Sequence, residues 1–350
     1  MNKTFWSGRK VLLTGHTGFK GSWLGIWLIS LGADVRGVSL AANTNPSLYQ
    51  ELELHKDLDH VECDIRDQAS LHKYVSEFRP EVVFHLAAQP LVRRSYLNPV
   101  ETYSTNVMGT LNLLEAIKAT SSVRAVVNIT TDKCYENREW VWGYRETDAL
   151  GGHDIYSSSK ACSEILTNSY RLSFLAKSET LLATARAGNV VGGGDWAEDR
   201  LIPDIVRALG KGKDVNVRNP NSTRPWQHVL EPLFGYLILA EKLFDGRSEL
   251  ASSWNFGPND DSVQTVRGVS EKMCNLWGGN SKIRIPAASG PHEAGVLKLD
   301  ISKVREKLGW EPRWNLDKTL ESIVHWHQKF SNGIEARRLC LDQIGTYLKS

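Results

Sequence analysis

Val11-Leu12-Leu13-Thr14-Gly15-His16-Thr17-Gly18-Phe19-Lys20-Gly21 is the stretch that decides the fold class. Val11–Leu13 is a short apolar run, the pattern of a buried strand. Gly15, Gly18 and Gly21 follow at three-residue spacing, and Trp23, Leu24, Trp27, Leu28 and Leu31 then recur at helical spacing. A strand, a glycine turn and a helix in that order make a seat for a pyrophosphate. Glycine admits positive φ and lets a ligand approach the backbone. The helix N-terminus supplies unpaired N–H groups and a partial positive charge. Many tight turns carry such glycines; the flanking strand and helix are what point to a dinucleotide.

Outward from that turn, apolar runs alternate with helical patterns. Strands are expected at Asp34–Leu40, ending at His60–Asp64, and at Glu81–Leu86, Arg124–Ile129 and Thr180–Arg186. Helices are expected at Ser22–Leu31, Gln68–Phe78, Thr102–Lys118 and Tyr156–Ser173. Strands separated by helices imply parallel βαβ units. The fold class is therefore α/β, a Rossmann-type doubly wound parallel sheet with ligands at the carboxyl ends of its strands. Residues 1–187 form the dinucleotide-binding part. From 188 to 350 the texture changes to turns and Pro-, Asn- and Trp-rich segments, with helices near Arg207–Leu209, Leu230–Leu243, Val266–Trp277 and Leu316–Lys329. This reads as a smaller, interleaved lobe that binds substrate, with segments returning to the sheet. Ile334–Ser350 is amphipathic and carries no chemistry. Trp140, Trp142, Trp196 and Trp226 either pack the core or offer a stacking platform to a sugar or base.

The chain of 350 residues carries 42 basic and 40 acidic side chains, a net charge of +2, which argues against a nucleic-acid partner. The five cysteines are scattered without metal spacing and read as free thiols of a reducing compartment. No metal site is expected. No signal-peptide core and no apolar run of about eighteen residues is found, so a cytoplasmic protein without a membrane span is expected.

Tyr156-Ser157-Ser158-Ser159-Lys160 sets a phenol and an ammonium on one helix face. The lysine charge is expected to lower the tyrosine pKa, so that the phenolate can take a proton from a sugar hydroxyl. Thr130-Thr131-Asp132-Lys133 follows a strand directly, placing a hydroxyl, a carboxyl and an amine at its carboxyl end. That cluster suits proton handling. His16 is expected to pack in the turn or meet a phosphate, and His85 to be structural.

Together, Thr14–Gly21, the Tyr156/Lys160 pair, His85-Leu86-Ala87-Ala88-Gln89, Asn106 and Thr131 resemble the extended short-chain dehydrogenase/reductase family. Within it the chain resembles the nucleotide-sugar 4,6-dehydratases over nearly its whole length. Thr131-Asp132-Lys133, Gly194–Pro203 and Arg224–His228 are similar to the CDP-glucose branch, which makes precursors of 3,6-dideoxyhexoses for bacterial surface polysaccharides such as O-antigen.

The resemblance implies NAD, held by Gly15, Thr17, Gly18, Phe19 and Gly21, by Asp64 and Ile65 near adenine, by Leu86, Ala87 and Ala88, and by Tyr156 and Lys160. It implies catalysis by Thr131, Asp132, Lys133, Tyr156 and Lys160. Gln89, Asn189, Arg200, Arg224, His228 and His292 are the candidates for the sugar nucleotide, CDP-glucose being favoured, with Glu293 beside His292. The expected reaction is an internal oxidation, dehydration and reduction that leaves a 4-keto-6-deoxy sugar. A homodimer through helices Thr102–Lys118 and Tyr156–Ser173, or a tetramer built from it, is also implied.

Two positions depart from the pattern. Most 4,6-dehydratases have Asp-Glu where this chain has Asp132-Lys133, and there the glutamate removes the C5 proton. Lysine can do so only when neutral. The segment after the second strand, Ser39–Thr44, lacks the acid that anchors the adenosine ribose. The missing acid implies a looser hold on the ribose, and the absence of an arginine there favours NAD over NADP. The rival readings are an epimerase or a dehydratase for another nucleotide, and a non-catalytic NAD-sensing protein.

Overall fold

The structure, a computed structural model, describes residues 2–285 and 296–350. Its main sheet has seven parallel strands. They are β1 (Lys10–Thr14), β2 (Asp34–Ser39), β3 (Asp59–Glu62), β4 (Val82–His85), β5 (Ala125–Ile129), β6 (Leu181–Ala187) and, from the second half of the chain, β10 (Ser253–Phe256). The spatial order β10-β6-β5-β4-β1-β2-β3 reverses direction between β1 and β4. The crevice at that reversal is where a doubly wound sheet takes its ligand.

The strands are apolar nearly throughout because both faces are covered. Side chains alternate across the sheet. Val11, Leu13, Val82, Phe84, Val127 and Ala185 enter one core, which includes Trp23, Trp27, Leu233 and Trp254. Leu12, Val83, Val126 and Leu182 enter the other, with Leu71, Leu113 and Ile117. A third core around Ile205, Trp226, Met273 and Leu320 underlies the remaining strands. These are β7 (Asn189–Val191), β9 (Thr223–His228) and β11 (Val263–Thr265) in one small sheet, and β8 (Val215–Asn216) and β12 (Ile283–Arg284) in another.

The helix after the glycine turn spans Phe19–Ser30, and the Tyr/Lys helix spans Ile155–Ser173, capped by the Asp154 side chain on the Ser157 N–H. The region expected as one helix from Thr102 is interrupted. Pro99–Tyr103 passes into a wide π turn at Ser104–Met108 before Gly109–Lys118. Asn106 sits in that turn, a feature common at functional sites. Trp226 packs in the third core, Trp196 lies against Trp326 and Phe330, and Trp142 remains exposed.

The C-terminal segment forms helix Ala336–Lys349, which packs on helix Phe19–Ser30. Buried Glu231 latches it: its carboxylate accepts from Tyr347 Oη at 2.7 Å and from the Trp314 backbone N–H at 2.7 Å. Tyr347→Phe is expected to cost about 2 kcal/mol, the worth of a hydrogen bond to a charged acceptor. Urea unfolding checks this; an unchanged midpoint would show that the latch carries no stability.

Candidate active site

The glycine turn closes against the loop after β4. Gly15 has φ +75°, and a Cβ there would lie 2.6 Å from the Ala87 nitrogen. A Cβ at Gly21 would lie 2.1 Å from the Gly15 carbonyl oxygen. Gly18 caps helix Phe19–Ser30 with no side-chain acceptor and no acid in the first turn. The cradle therefore fits an anionic pyrophosphate. Leu86 N–H donates to the Thr14 carbonyl and Ala87 N–H to Thr14 Oγ1, which fixes this loop beside the turn.

Past β2, Thr17 Oγ1 lies 2.7 Å from Ser39 Oγ and donates to the Leu40 carbonyl at 2.9 Å. This hydroxyl pair stands where an acid is lacking. Asp64 is ion-paired to Arg66, whose hydrogen bonds hold its carboxyl below the usual range. Ile65 is buried and sits against Gly109. His16 packs under Gly37, with Nε2 2.8 Å from His60 Nδ1. Burial and His60 push its pKa down to about 3, so it packs in the turn as a neutral ring. His85, wedged between Thr14 and Thr110 hydroxyls, is likewise a buried structural ring.

At the reacting end, β5 runs into a short turn, Asp132–Cys134, capped by Thr131. Thr131 Oγ1 donates to Asp132 Oδ1 at 3.0 Å and accepts from the Lys133 N–H at 3.3 Å. Asp132 is buried, and its Oδ2 has no hydrogen-bond partner among the described residues. A buried carboxylate oxygen left open is costly unless a ligand serves it. Gly188 makes room for it: a Cβ there would sit 3.1 Å from Asp132 Oδ2 and 2.9 Å from Pro225 Cγ.

Tyr156 is hydrogen-bonded to the Thr131 hydroxyl. The expected lowering of its pKa is not what the fold gives: burial pushes the phenol up to about 12, and Thr131 and Arg200 are the groups that pull it back. Lys160 Nζ donates to the Ile129 carbonyl at 3.2 Å. Burial brings its own pKa down to about 8.

The substrate candidates divide. Arg200 lies at the reacting end, paired to Asp195 at 3.0 Å and close enough to act on Tyr156. Asn189 opens β7, directly after Gly188. Arg224 is buried, with a guanidinium N–H on the Thr223 carbonyl at 3.0 Å. His228 must be corrected. It is fully buried between Trp23 and Trp314, and burial pushes its pKa to about 3, so it is a core ring and not a ligand contact. Gln89 is corrected too. Its amide donates to Leu91 O and Thr102 Oγ1 and accepts from the Leu91 N–H, and its backbone is clasped by Asn106. It shapes the loop instead of facing a ligand. His292 and Glu293 lie outside the described residues.

One residue escaped the sequence reading. Lys20 is half-buried at the start of the glycine-turn helix, with Nζ 3.3 Å from Tyr236 Oη. Burial, then Lys160 and Arg200, push its pKa down to about 7, while Asp132 opposes them. The signal was a lysine entering a helix whose next eight residues, Gly21–Leu28, are all buried.

A family model described as GDP-mannose 4,6 dehydratase matches residues 12–323. CDP-glucose 4,6-dehydratase of Salmonella typhimurium is 50% identical, over 100% of this chain and 99% of that protein. dTDP-glucose 4,6-dehydratase of Xanthomonas campestris is 27% identical over 95% of this chain and 98% of its own. The solved structure of dTDP-glucose 4,6-dehydratase from Streptomyces venezuelae, with NAD bound, has the same fold: TM-score 0.80, 23% identity, 92% of this chain and 98% of that one. With a glycine cradle at the sheet's reversal and a Thr–Asp–Lys turn facing a Tyr/Lys helix, this chain belongs to the GDP-mannose 4,6 dehydratase family.

Proposed function

We propose that the protein converts CDP-glucose to CDP-4-dehydro-6-deoxyglucose, with NAD as a recycled cofactor. The observation that carries the reading is the convergence of Tyr156, Thr131 and the open Asp132 Oδ2 at one strand end. The glycine turn holds the NAD pyrophosphate, Lys160 and Tyr156 hold its inner ribose, and the Thr17/Ser39 hydroxyl pair replaces the acid at the outer one. A bound NAD would supply the hydride acceptor for oxidation at C4 and the hydride donor for reduction at C6.

Tyr156 takes the proton of the 4-hydroxyl while Thr131 keeps that oxygen in line. The resulting 4-ketone acidifies the C5 hydrogen. Lys133 removes it and returns a proton to C5 when hydride reaches C6, while Asp132 protonates the 6-hydroxyl, which departs as water. Arg200, Arg224 and Asn189 bind the sugar nucleotide, a guanidinium being suited to a diphosphate. An epimerase would require no acid/base pair at Asp132 and Lys133. The Salmonella relative's substrate favours cytidine as the base.

The exposed apolar side chains Leu97, Val100 and Met108, with Ile165 and Leu172 on the Tyr/Lys helix, support a homodimer through these helices. The five cysteines are free, as suits work in the cytoplasm, where the product would feed 3,6-dideoxyhexose synthesis for O-antigen.

Incubation with CDP-, dTDP-, GDP- and UDP-hexoses plus NAD tests the reading. A 4-keto product from CDP-glucose, at a kcat/KM at least about tenfold above the others, is expected; about 1.4 kcal/mol of discrimination is a modest demand on a base-reading site. A C4 epimer, or preference for another nucleotide, would replace it.

A further inference from the structure

The face of the Tyr/Lys helix that carries Tyr156 and Lys160 carries Glu164 one turn further on. Those three residues read the end of β5 in succession. Tyr156 meets the Thr131 hydroxyl, Lys160 the Ile129 carbonyl, and Glu164 Oε1 accepts a short bond from Thr130 Oγ1. The other carboxylate oxygen of Glu164 accepts from Thr184 Oγ1 at 2.8 Å and from Arg186 Nη2 at 2.7 Å. Arg186 is held in turn by Tyr135 Oη at 2.6 Å and by the Glu146 carbonyl. Both members of the ion pair are 2% exposed or less. Such a pair contributes little net stability over apolar side chains of the same size. No residue of it touches the open end of the cleft, so its charge calls for another account.

We infer that Glu164, fixed as an anion by Arg186, is a positioning residue for Lys160: one helical turn further on, it holds the counter-charge of the ammonium that binds the inner ribose beside Tyr156. This rests on the reading of Tyr156 and Lys160 given above. The groups that face Lys160 from neighbouring elements are few. Lys20 comes from the glycine-turn helix, His85 from β4 and Cys134 from the turn after β5. Burial keeps His85 neutral, and it raises the Cys134 thiol well above its usual range. Lys20 is a like charge. Against burial, which discourages the ammonium, Glu164 is the first group that favours it. Burial also opposes ionisation of Glu164, yet Arg186 and the Thr130 and Thr184 hydroxyls leave its carboxyl below the usual range.

The pH profile of kcat on CDP-glucose, with KM and thermal unfolding alongside, tests this. In Glu164→Gln the alkaline limb is expected to move down by about one pH unit, the worth of a nearby opposite charge. KM is expected to stay within about threefold, because Glu164 does not line the open cleft. A residue with a structural role alone would lower kcat evenly and leave the limb in place. Since Glu164→Gln strands the Arg186 charge and can fail to fold, Glu164→Gln with Arg186→Gln is the companion variant. It removes both charges, so the limb is expected to move in the same direction by a smaller amount. An alkaline limb that superimposes on wild type in whichever variant folds overturns the inference. Wild type inert on CDP-glucose would instead overturn the functional reading beneath it.

Discussion

Tyr156→Phe is expected to lower kcat on CDP-glucose by about a hundredfold to ten-thousandfold, the range for loss of a positioned general base. The substitution removes one oxygen and leaves a ring of the same shape, so the buried surroundings stay filled. NAD affinity should fall by no more than about tenfold, as for one lost hydrogen bond. The size of the effect follows from what surrounds the phenol. Its oxygen is bonded to Thr131, and Asp132, which is bonded to the same hydroxyl, opposes its ionisation. Burial holds the proton on, and Arg200 and Thr131 loosen it. No other described group at the end of β5 combines that placement with an exchangeable phenolic proton. Stopped-flow appearance of reduced nicotinamide measures the oxidation half-reaction alone. A variant that still formed it at the wild-type rate would take Tyr156 out of the first step.

What could be read from the sequence was what depends on local pattern. The run at Val11–Leu13, the spacing of Gly15, Gly18 and Gly21, and the helix Gln68–Phe78 are fixed by neighbours within a few residues. The Tyr156/Lys160 face and the turn after β5 were legible for the same reason. What failed depends on which way a side chain faces once both sides of a strand are covered. Arg224–His228 of β9 is buried throughout, so alternation gave no clue that His228 enters the tryptophan-lined core. Gln89 follows β4 at its carboxyl end, as a ligand residue should. It is satisfied by Leu91 and Thr102, one of them on a separate helix, and no periodicity records that. Glu164 and Arg186 meet because a helix crosses β6, and each read alone is an ordinary charged residue. Lys20 was in the quoted stretch itself. Its chemistry comes from Lys160 and Arg200, which lie far away in the chain.

The elimination step should separate from oxidation in Asp132→Asn and Lys133→Met. In both, reduced nicotinamide is expected to form and persist, while release of the 4-keto-6-deoxy product falls by about a hundredfold or more. Asn keeps the size of Asp132 and can still accept the Thr131 hydrogen bond seen at Oδ1. What it loses is the ability to deliver a proton from the position of Oδ2, the oxygen left open in the buried pocket beside Gly188. Lys133 is half-buried, and its backbone N–H is tied to Thr131 Oγ1, so methionine can take its place without disturbing the turn. Solvent deuterium distinguishes the two roles. If Lys133 is the C5 base, Lys133→Met blocks exchange at C5 of the oxidised sugar, whereas Asp132→Asn permits exchange and blocks only loss of the 6-hydroxyl. Exchange at C5 that survives in Lys133→Met would move the base to another group, and Lys20, with a pKa brought to about 7, would be the first to examine.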